Sequence, residues 1–491
     1  MIDDVDEWRV FFTRRGLPMP RTADPLLEVF GDLDEWLDEH DVLERAPFLI
    51  DPLGRYDVDL NRYFRTTMSV EPANTQAAAA YDLKKFLAFL WEGRGRRSWK
   101  DATEEDRAAY KQWRLVDPRG PRVELTTWDR EVATVNAFYR WAVRQKFAQR
   151  NPFVQRESRS QDVRGRGRGE TPAEASHQGS ANRVEWFPAS DYRRWRDVGV
   201  RGFTVTGLPD ASFRGRLGAR NATYADLMIR TGLRLSEQTS LSMFELPEVR
   251  PRTAFARTWL PHAIAKGGSA RHIYIPNSGL KDVWDYVEME RAEAVERAQA
   301  AGAYEQIRDP LVVSDRARPY VVIGGERVNV SKLDDLERCR LLVETADGLE
   351  PAALWLNEFG LPSDPDGWTE VFKNANKRCA RLDVELRAHA HLLRHSFAVI
   401  TLEQLQRGHI KELAEMNPAQ RRTYQMVFGD PLNWVRMRLG HKSITTTQIY
   451  LHTLQELEME TRMALIPDDW EPVGVHPEDL DEQAVAEAHD G

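Results

Sequence analysis

The chain has 491 residues, of which 42 % are hydrophobic and 30 % charged, with 68 Lys+Arg against 77 Asp+Glu for a formal net charge of -9. Its 15 Trp and 19 Phe exclude wholesale disorder, and a mean hydropathy of -0.56 excludes a membrane-embedded chain. The two cysteines, Cys339 and Cys379, stand far apart and argue against a disulfide framework or a cysteine-built zinc site.

Charge is unevenly distributed. Residues 1–60 hold 6 basic and 16 acidic side chains, residues 467–491 hold 9 acidic and none basic, and the body between them is therefore at +10. Such a body suits a polyanionic partner, with the acidic ends limiting adhesion, because the relevant potential is local and screened beyond about 10 Å; the same pattern also fits two plain solvated termini. The acidic start and the lack of a long apolar run point to a cytoplasmic protein with no membrane partner.

In chain order, residues 1–74 read as an acidic N-terminal extension with an amphipathic helix over Leu26–Leu43, its apolar positions being Leu27, Phe30, Leu33, Trp36 and Leu37. Residues 75–155 read as a compact helical domain. Leu83, Phe86, Leu87 and Leu90 line a first helix, Thr103 caps a second, and Val132, Val135, Phe138, Tyr139 and Ala142 line a third that ends before Asn151-Pro152. Residues 156–187 are rich in Gly, Ser and Arg and read as a linker, in which Arg164, Arg166 and Arg168 alternate with glycine and are candidate DNA contacts. Residues 188–466 read as a helix-rich domain with a small antiparallel sheet, its strands at Ala254–Leu260 and His272–Ile275 joined through Lys266-Gly267-Gly268. Residues 467–491 form an acidic tail.

Four segments of this last domain carry chemistry. TGLRLSEQTSL places Arg234 near the end of an apolar helix and Glu237 one turn on; alone, this is an ordinary surface pair. Lys266 sits at the Gly-Gly turn, with Arg271 entering the next strand as a further candidate DNA contact. HAHLLRHSFAVITL puts His391 and Arg394 on one helical face. His391 and His395 also have the i, i+4 spacing of zinc helices, but Leu392 stands where such motifs carry glutamate and Arg394 would repel a cation, so no metal is expected. LGHKSITTTQIYLHT sets His441 nine residues before Tyr450.

A phosphodiester under attack passes through a five-coordinate phosphorus whose nonbridging oxygens gain negative charge. Arg234 and Arg394, permanently charged and forked, can clamp those oxygens without a metal, and His441 can add a donor. Tyr450 offers a nucleophilic phenol, His391 a proton acceptor, Lys266 a proton donor for the leaving oxygen, and Glu237 support. No Gly-x-x-x-x-Gly-Lys-Ser/Thr phosphate loop is present, so neither ATP nor another cofactor is expected.

The order Arg…Lys…His-x-x-Arg…His…Tyr, with the boxes TGLRLSE, HLLRHSFA and LGHKSITTTQIY, resembles the tyrosine recombinase (phage integrase) family. The resemblance covers 188–466 through these motifs and, more weakly, the helical domain before it. It implies a mainly helical core-binding domain, a catalytic domain of the DNA breaking-rejoining fold with a small antiparallel sheet, and a site-specific recombinase or integrase of a mobile element. It further implies double-stranded DNA attachment sites as partners, a clamp of the two domains around the duplex, a 3′-phosphotyrosine intermediate, a homotetramer on synapsed DNA with a free monomer, and room for accessory DNA-bending or directionality factors. Insertions are expected near 298–350, including the hairpin-like PYVVIGGERVNV, and near 406–433. Two alternatives stay open: a type IB topoisomerase-like DNA-relaxing enzyme, and a DNA-binding relative without activity.

Overall fold

A computed structural model describes residues 7–14, 37, 39, 42–157, 170–172, 184–250, 252–415 and 430–463. The chain divides into two compact units, 1–180 and 181–491. Most of the amphipathic stretch read at Leu26–Leu43, the glycine-flanked Arg164, Arg166 and Arg168, and the acidic tail lie outside the described residues.

In the first unit β1 (Arg9–Phe12) pairs antiparallel with β2 (Pro47–Ile50), in the register Arg9 to Ile50. Four helices follow: α1 (Val58–Thr66), α2 (Ala73–Gly93), α3 (Glu104–Leu115) and α4 (Leu125–Arg144). Asp57 caps α1 through Leu60 N at 3.1 Å. Thr103 opens α3 as expected, and the box closes with Asp106, whose carboxylate accepts from Thr103 N at 2.9 Å. The apolar stripes of α2 and α4 meet in a core of Leu83, Phe86, Leu90, Tyr110, Trp128, Val132, Val135, Phe138 and Tyr139.

The division expected at residue 74 is not where the packing divides. Trp8, Leu49, Leu60, Tyr63, Phe64 and Met68 belong to that same core. Buried Asn61 fastens β2 to α1 by donating to Leu49 O at 2.9 Å and accepting from Leu49 N at 2.7 Å. The start of the linker is also structured, since β3 (Gln155–Glu157) pairs antiparallel with β4 (Glu170–Pro172).

The second unit begins with α5 (Ala189–Trp195) and α6 (Gly218–Thr231), then the short α7 (Leu235–Thr239). A hairpin of β5 (Phe255–Leu260) and β6 (Arg271–Pro276) follows in the register Leu260 to Arg271, close to the expected strands, with Lys266–Gly268 at its tip. After α8 (Asn277–Tyr286) and α9 (Ala292–Ala300) comes β7 (Leu311–Val313). The hairpin expected at PYVVIGGERVNV is present as β8 (Tyr320–Ile323) and β9 (Glu326–Asn329). Next are α10 (Asp335–Cys339), β10 (Leu341–Thr345) and β11 (Gly348–Pro351), where β10 lies between antiparallel β11 and parallel β7. The last described elements of the unit are α11 (Pro365–Arg381), α12 (Ala390–Glu415), α13 (Pro431–Leu439) and α14 (Thr445–Met463).

The segment expected as an insertion near 298–350 is thus a small sheet subdomain with its own core, including Val313, Val321, Val330, Leu341 and Val343. It is pinned to the segment after α7 by a buried pair, Arg338 donating to both oxygens of Glu245 at 2.9 and 3.0 Å. Around α6 the larger core stacks Tyr224 on Trp368 and Tyr286 on Trp355. Tyr224 also bonds to α7 through Thr239 Oγ1 at 2.9 Å, which fixes the short helix that carries Glu237.

A polar knot in the first unit tests how its helices hold together. Glu131 on α4 is buried and accepts from Arg114 Nε at 2.8 Å, Lys85 Nζ at 2.9 Å and Tyr110 Oη at 3.2 Å. Replacing one partner of a buried ion pair leaves the other charge unmatched, so Glu131→Ala is expected to cost about 3–5 kcal/mol in urea unfolding. Lys85→Met, at the partly exposed rim, is expected to cost less than about 1 kcal/mol.

Candidate active site

Arg234 owes its place to Gly232. Helix α6 ends on Gly232 in a left-handed turn, φ +65°, and a side-chain carbon there would stand 2.3 Å from the Phe397 ring of α12. The chain then reverses into α7 with Arg234 at its N-cap. The expected pairing of Arg234 with Glu237 is therefore a helix-start geometry: Arg234 N donates to Glu237 Oε2 at 3.0 Å and Arg234 Nη1 to Oε1 at 2.8 Å.

Glu237 is fully buried and gathers more than Arg234. Arg271 donates Nη2 to Oε2 at 2.6 Å and Nη1 to Oε1 at 3.2 Å, and Lys266 N donates to Oε1 at 3.3 Å. Burial alone would raise the carboxyl pKa, but the hydrogen bond and charge of Arg271, followed by the charge of Arg234, bring it down to about 2.

This geometry corrects the expectation for Arg271. Only 7 % exposed, it is held by Glu237 and donates Nε to Arg438 O at 2.8 Å, which makes it an internal strut between the hairpin and α13 instead of a surface contact for DNA. Lys266, by contrast, is exposed at the hairpin tip, where Gly267 and Gly268 both take positive φ.

His391, Arg394 and His395 share one face of α12. Arg394, 4 % exposed, donates Nη1 to Gly232 O and Nη2 to Leu439 O, tying α12 to the ends of α6 and α13. Burial, then the charge of Arg234, presses its pKa below the ordinary guanidinium value. His391 is half-buried, and burial followed by the charges of His389, Arg394, Lys266 and Arg234 lowers its pKa.

Helix α13 ends on Gly440, φ +64°, where a side-chain carbon would stand 2.9 Å from Ser269 Oγ and 3.0 Å from Arg271 Nη1. This close approach delivers His441, whose Nδ1 lies 3.0 Å from Thr447 Oγ1 and whose pKa is lowered to about 4, by burial first and then by Arg394 and Arg234. Tyr450 on α14 is 2 % exposed, its ring 6.3 Å from that of His441. Burial raises the phenol pKa while the charges of Arg394 and Arg234 pull it down.

The hydroxyl of Tyr450 is not free in this pocket: it lies 2.9 Å from His395 Nδ1. The sequence reading weighed His395 only as a zinc partner of His391. Its i, i+4 relation to His391 was the available signal, since it puts both rings on the face that carries Arg394. Among the described residues no group of three or more His, Cys, Asp or Glu could hold a metal ion.

Two arginines thus act on one buried phenol and the rings of His395 and His441 lie against it, an arrangement that can bind a phosphate and stabilise added negative charge on it. The first unit matches the phage integrase N-terminal SAM-like domain over residues 60–146. Tyrosine recombinase XerC of Roseiflexus castenholzii is 23 % identical over 413 residues, covering 84 % of this chain and 92 % of that protein. The XerC of Lactobacillus delbrueckii subsp. bulgaricus is 21 % identical over 401 residues, 82 % of this chain and 95 % of that protein. Among solved structures, the XerH site-specific recombinase bound to palindromic difH substrate covers 92 % of each chain at 13 % identity and a TM-score of 0.44. The chain is thus similar to tyrosine recombinases over most of its length, and its first unit matches the phage integrase N-terminal domain.

The Glu237 knot has a pH signature. A carboxyl whose pKa falls from 4.5 unfolded to about 2 folded stabilises the protein above the unfolded value and loses that contribution as pH drops toward the folded one. Urea unfolding of the full chain between about pH 5 and pH 2 is expected to show a component of about 3 kcal/mol that is missing in Glu237→Gln.

Proposed function

We propose that this chain is a site-specific DNA recombinase that cuts and rejoins duplex DNA through a covalent 3′-phosphotyrosine at Tyr450, without metal or ATP. The observation that carries the reading is the Tyr450 phenol buried within electrostatic reach of both Arg234 and Arg394, on the face where His441 also lies.

In this reading Arg234 and Arg394 take the nonbridging oxygens of the scissile phosphate. Glu237 and the carbonyls of Gly232 and Leu439 hold the two guanidiniums in place before DNA arrives, so that little reorganisation is needed as charge develops. His441 adds a donor. His391 takes the phenolic proton of Tyr450, the bond from Tyr450 Oη to phosphorus forms as the bond to the 5′ oxygen breaks, and Lys266, exposed at the hairpin tip, protonates the departing oxygen. The phosphotyrosine conserves the energy of the broken phosphodiester, which lets a second DNA end reverse the step. Exchange between two duplexes cut on both strands needs four tyrosines and hence four chains on DNA.

The apolar positions after Tyr450, namely Leu454, Leu457, Met459, Met463, Ala464, Leu465 and Ile466, read in the sequence either as a surface for a neighbouring protomer or as one that folds back onto its own domain. Leu454 packs in its own unit with Phe397, Leu402 and Val435, and Thr453 Oγ1 accepts from Val184 N at 3.2 Å. The side chains of Leu457 and Met459 lie outside the described residues.

The test is capture of covalent adducts from nicked duplexes randomised in sequence around the nick. The parental chain is expected to yield adducts that survive denaturation and Tyr450→Phe none; adducts at the parental level from Tyr450→Phe would overturn the reading. Arg394→Lys is expected to lower single-turnover cleavage more than tenfold, about 1.4 kcal/mol in barrier, because one ammonium cannot span Gly232 O, Leu439 O and a phosphate.

Lys266→Ala separates the acid from the clamp. Its cleavage of ordinary DNA is expected to slow at least tenfold, and a substrate with sulfur in place of the leaving oxygen is expected to restore the parental rate, since a thiolate departs without a proton. Equal slowing on both substrates would make Lys266 a phosphate-binding residue.

A further inference from the structure

We propose that Thr447 is a positioning residue: its hydroxyl donates to His441 Nδ1 and so keeps the single proton of a neutral His441 ring on Nε2, where it can hydrogen-bond the scissile phosphate. This rests on the recombinase reading above, in which His441 is a donor. Thr447 lies in the first turn of α14, is 0 % exposed, and has its Oγ1 3.0 Å from His441 Nδ1.

The backbone of His441 is held on both sides. Its N–H donates to Arg436 O at 3.1 Å and its carbonyl accepts from Arg436 Nη1 at 3.2 Å, which fixes the residue as the chain leaves the Gly440 turn. The contact at Nδ1 therefore governs what remains, the rotation and the protonation of the ring. Thr447 is itself anchored, since its backbone N–H donates to Ile444 O at 2.8 Å and so sets the place of the hydroxyl at the start of α14.

An uncharged imidazole carries one proton, and the nitrogen that holds it is set by the hydrogen bond that the other nitrogen makes. The charged and titratable groups around His441 are Arg394 and His395 on α12, Arg234 at the start of α7, Arg271 on β6 and Tyr450 on α14. Burial first, then Arg394 and Arg234, bring its pKa to about 4, so the ring is neutral near neutral pH. Against a phosphate the two neutral tautomers are opposites. Nε2–H donates to a nonbridging oxygen, whereas a bare Nε2 turns a lone pair toward the same negative charge. A buried hydroxyl has a proton to give, and Nδ1 is the acceptor set before it. Donation from Thr447 thus selects the useful tautomer before DNA arrives.

The experiment uses the full chain and the nicked duplexes recovered as adducts. Single-turnover cleavage and gel retardation are measured for the parent, Thr447→Val, Thr447→Ser, His441→Gln and the double variant of His441→Gln with Thr447→Val. Valine keeps the shape of threonine without the hydroxyl, and serine keeps the hydroxyl. Thr447→Val is expected to cleave at least about tenfold more slowly while binding the duplex within about twofold of the parent, and Thr447→Ser to cleave within about threefold of it. In the His441→Gln chain, Thr447→Val is expected to bring no further loss, because the hydroxyl acts through the ring.

Nitrogen NMR of the free chain labelled in histidine reads the tautomer without DNA, with His441→Gln identifying the resonances. Near neutral pH the parent is expected to show His441 with Nδ1 unprotonated and Nε2 protonated, and Thr447→Val a mixture of both tautomers. A parental His441 protonated at Nδ1 would overturn the assignment, and this spectrum decides even if Thr447→Val fails to fold. Cleavage by Thr447→Val within about threefold of the parent would also overturn it, as would an equal loss with and without His441, the mark of a residue that merely packs. Absence of adducts from the parent would instead overturn the recombinase reading, on which the tautomer of the free chain does not depend.

Discussion

The carboxylate of Glu237 is the constraint on which the site depends. The start of its own helix α7 through Arg234, and two points of the hairpin about 30 residues later, the tip through Lys266 N and β6 through Arg271, converge on its two oxygens. A buried carboxylate is costly unless matched, and here the matching groups are the ones that must be held still. Arg271 extends the constraint by donating to Arg438 O, which sets the end of α13 and the Gly440 turn that delivers His441. The same ion that would be a liability in an apolar core thus orients a guanidinium, a lysine-bearing turn and, at one remove, a histidine.

A second convergence, on Arg394, is built from carbonyls. Gly232 O and Leu439 O close α6 and α13, and helix ends present carbonyls with no partner inside the helix. One guanidinium satisfies both and joins three helices at a point. Since Arg394 is also read as half of the phosphate clamp, packing and chemistry draw on the same side chain. Substitutions there will combine loss of stability with loss of rate unless binding is measured alongside.

Much of this was legible in the sequence where the physics is local. The apolar stripes of α2 and α4, the Thr103 cap and the turn at Lys266-Gly267-Gly268 are set by neighbours a few residues away, and each was found within a residue or two of its place. The motif residues were read through the resemblance of their boxes and order to a known family, since a segment such as that of Arg234 and Glu237 alone reads as an ordinary surface pair. What escaped notice was non-local. Trp8 and Leu49 join a core with Phe86 and Phe138, and nothing within a window of their own sequence says so. Arg271 read as an exposed cation because its partner lies 34 residues earlier, and His395 had no evident role because its hydrogen bond spans 55 residues. The parallel pairing of β10 with β7 crosses an intervening hairpin, so no short-range pattern announces it.

The sheet subdomain between α9 and α11 looks, by its separate core, like a module that could be trimmed to give a smaller protein. Its attachment argues otherwise. Glu245 is buried and matched by Arg338 alone among the ion pairs described, while Leu354 N and Ala352 O bond directly to the backbone of Leu241 and Met243. A deletion that removed Arg338 would strand a carboxylate eight residues from Glu237 and open the strand-like contact that follows α7. The subdomain is therefore a keystone as much as an appendage, and a shortened chain would need Glu245 replaced by an apolar residue before it could fold around the same site.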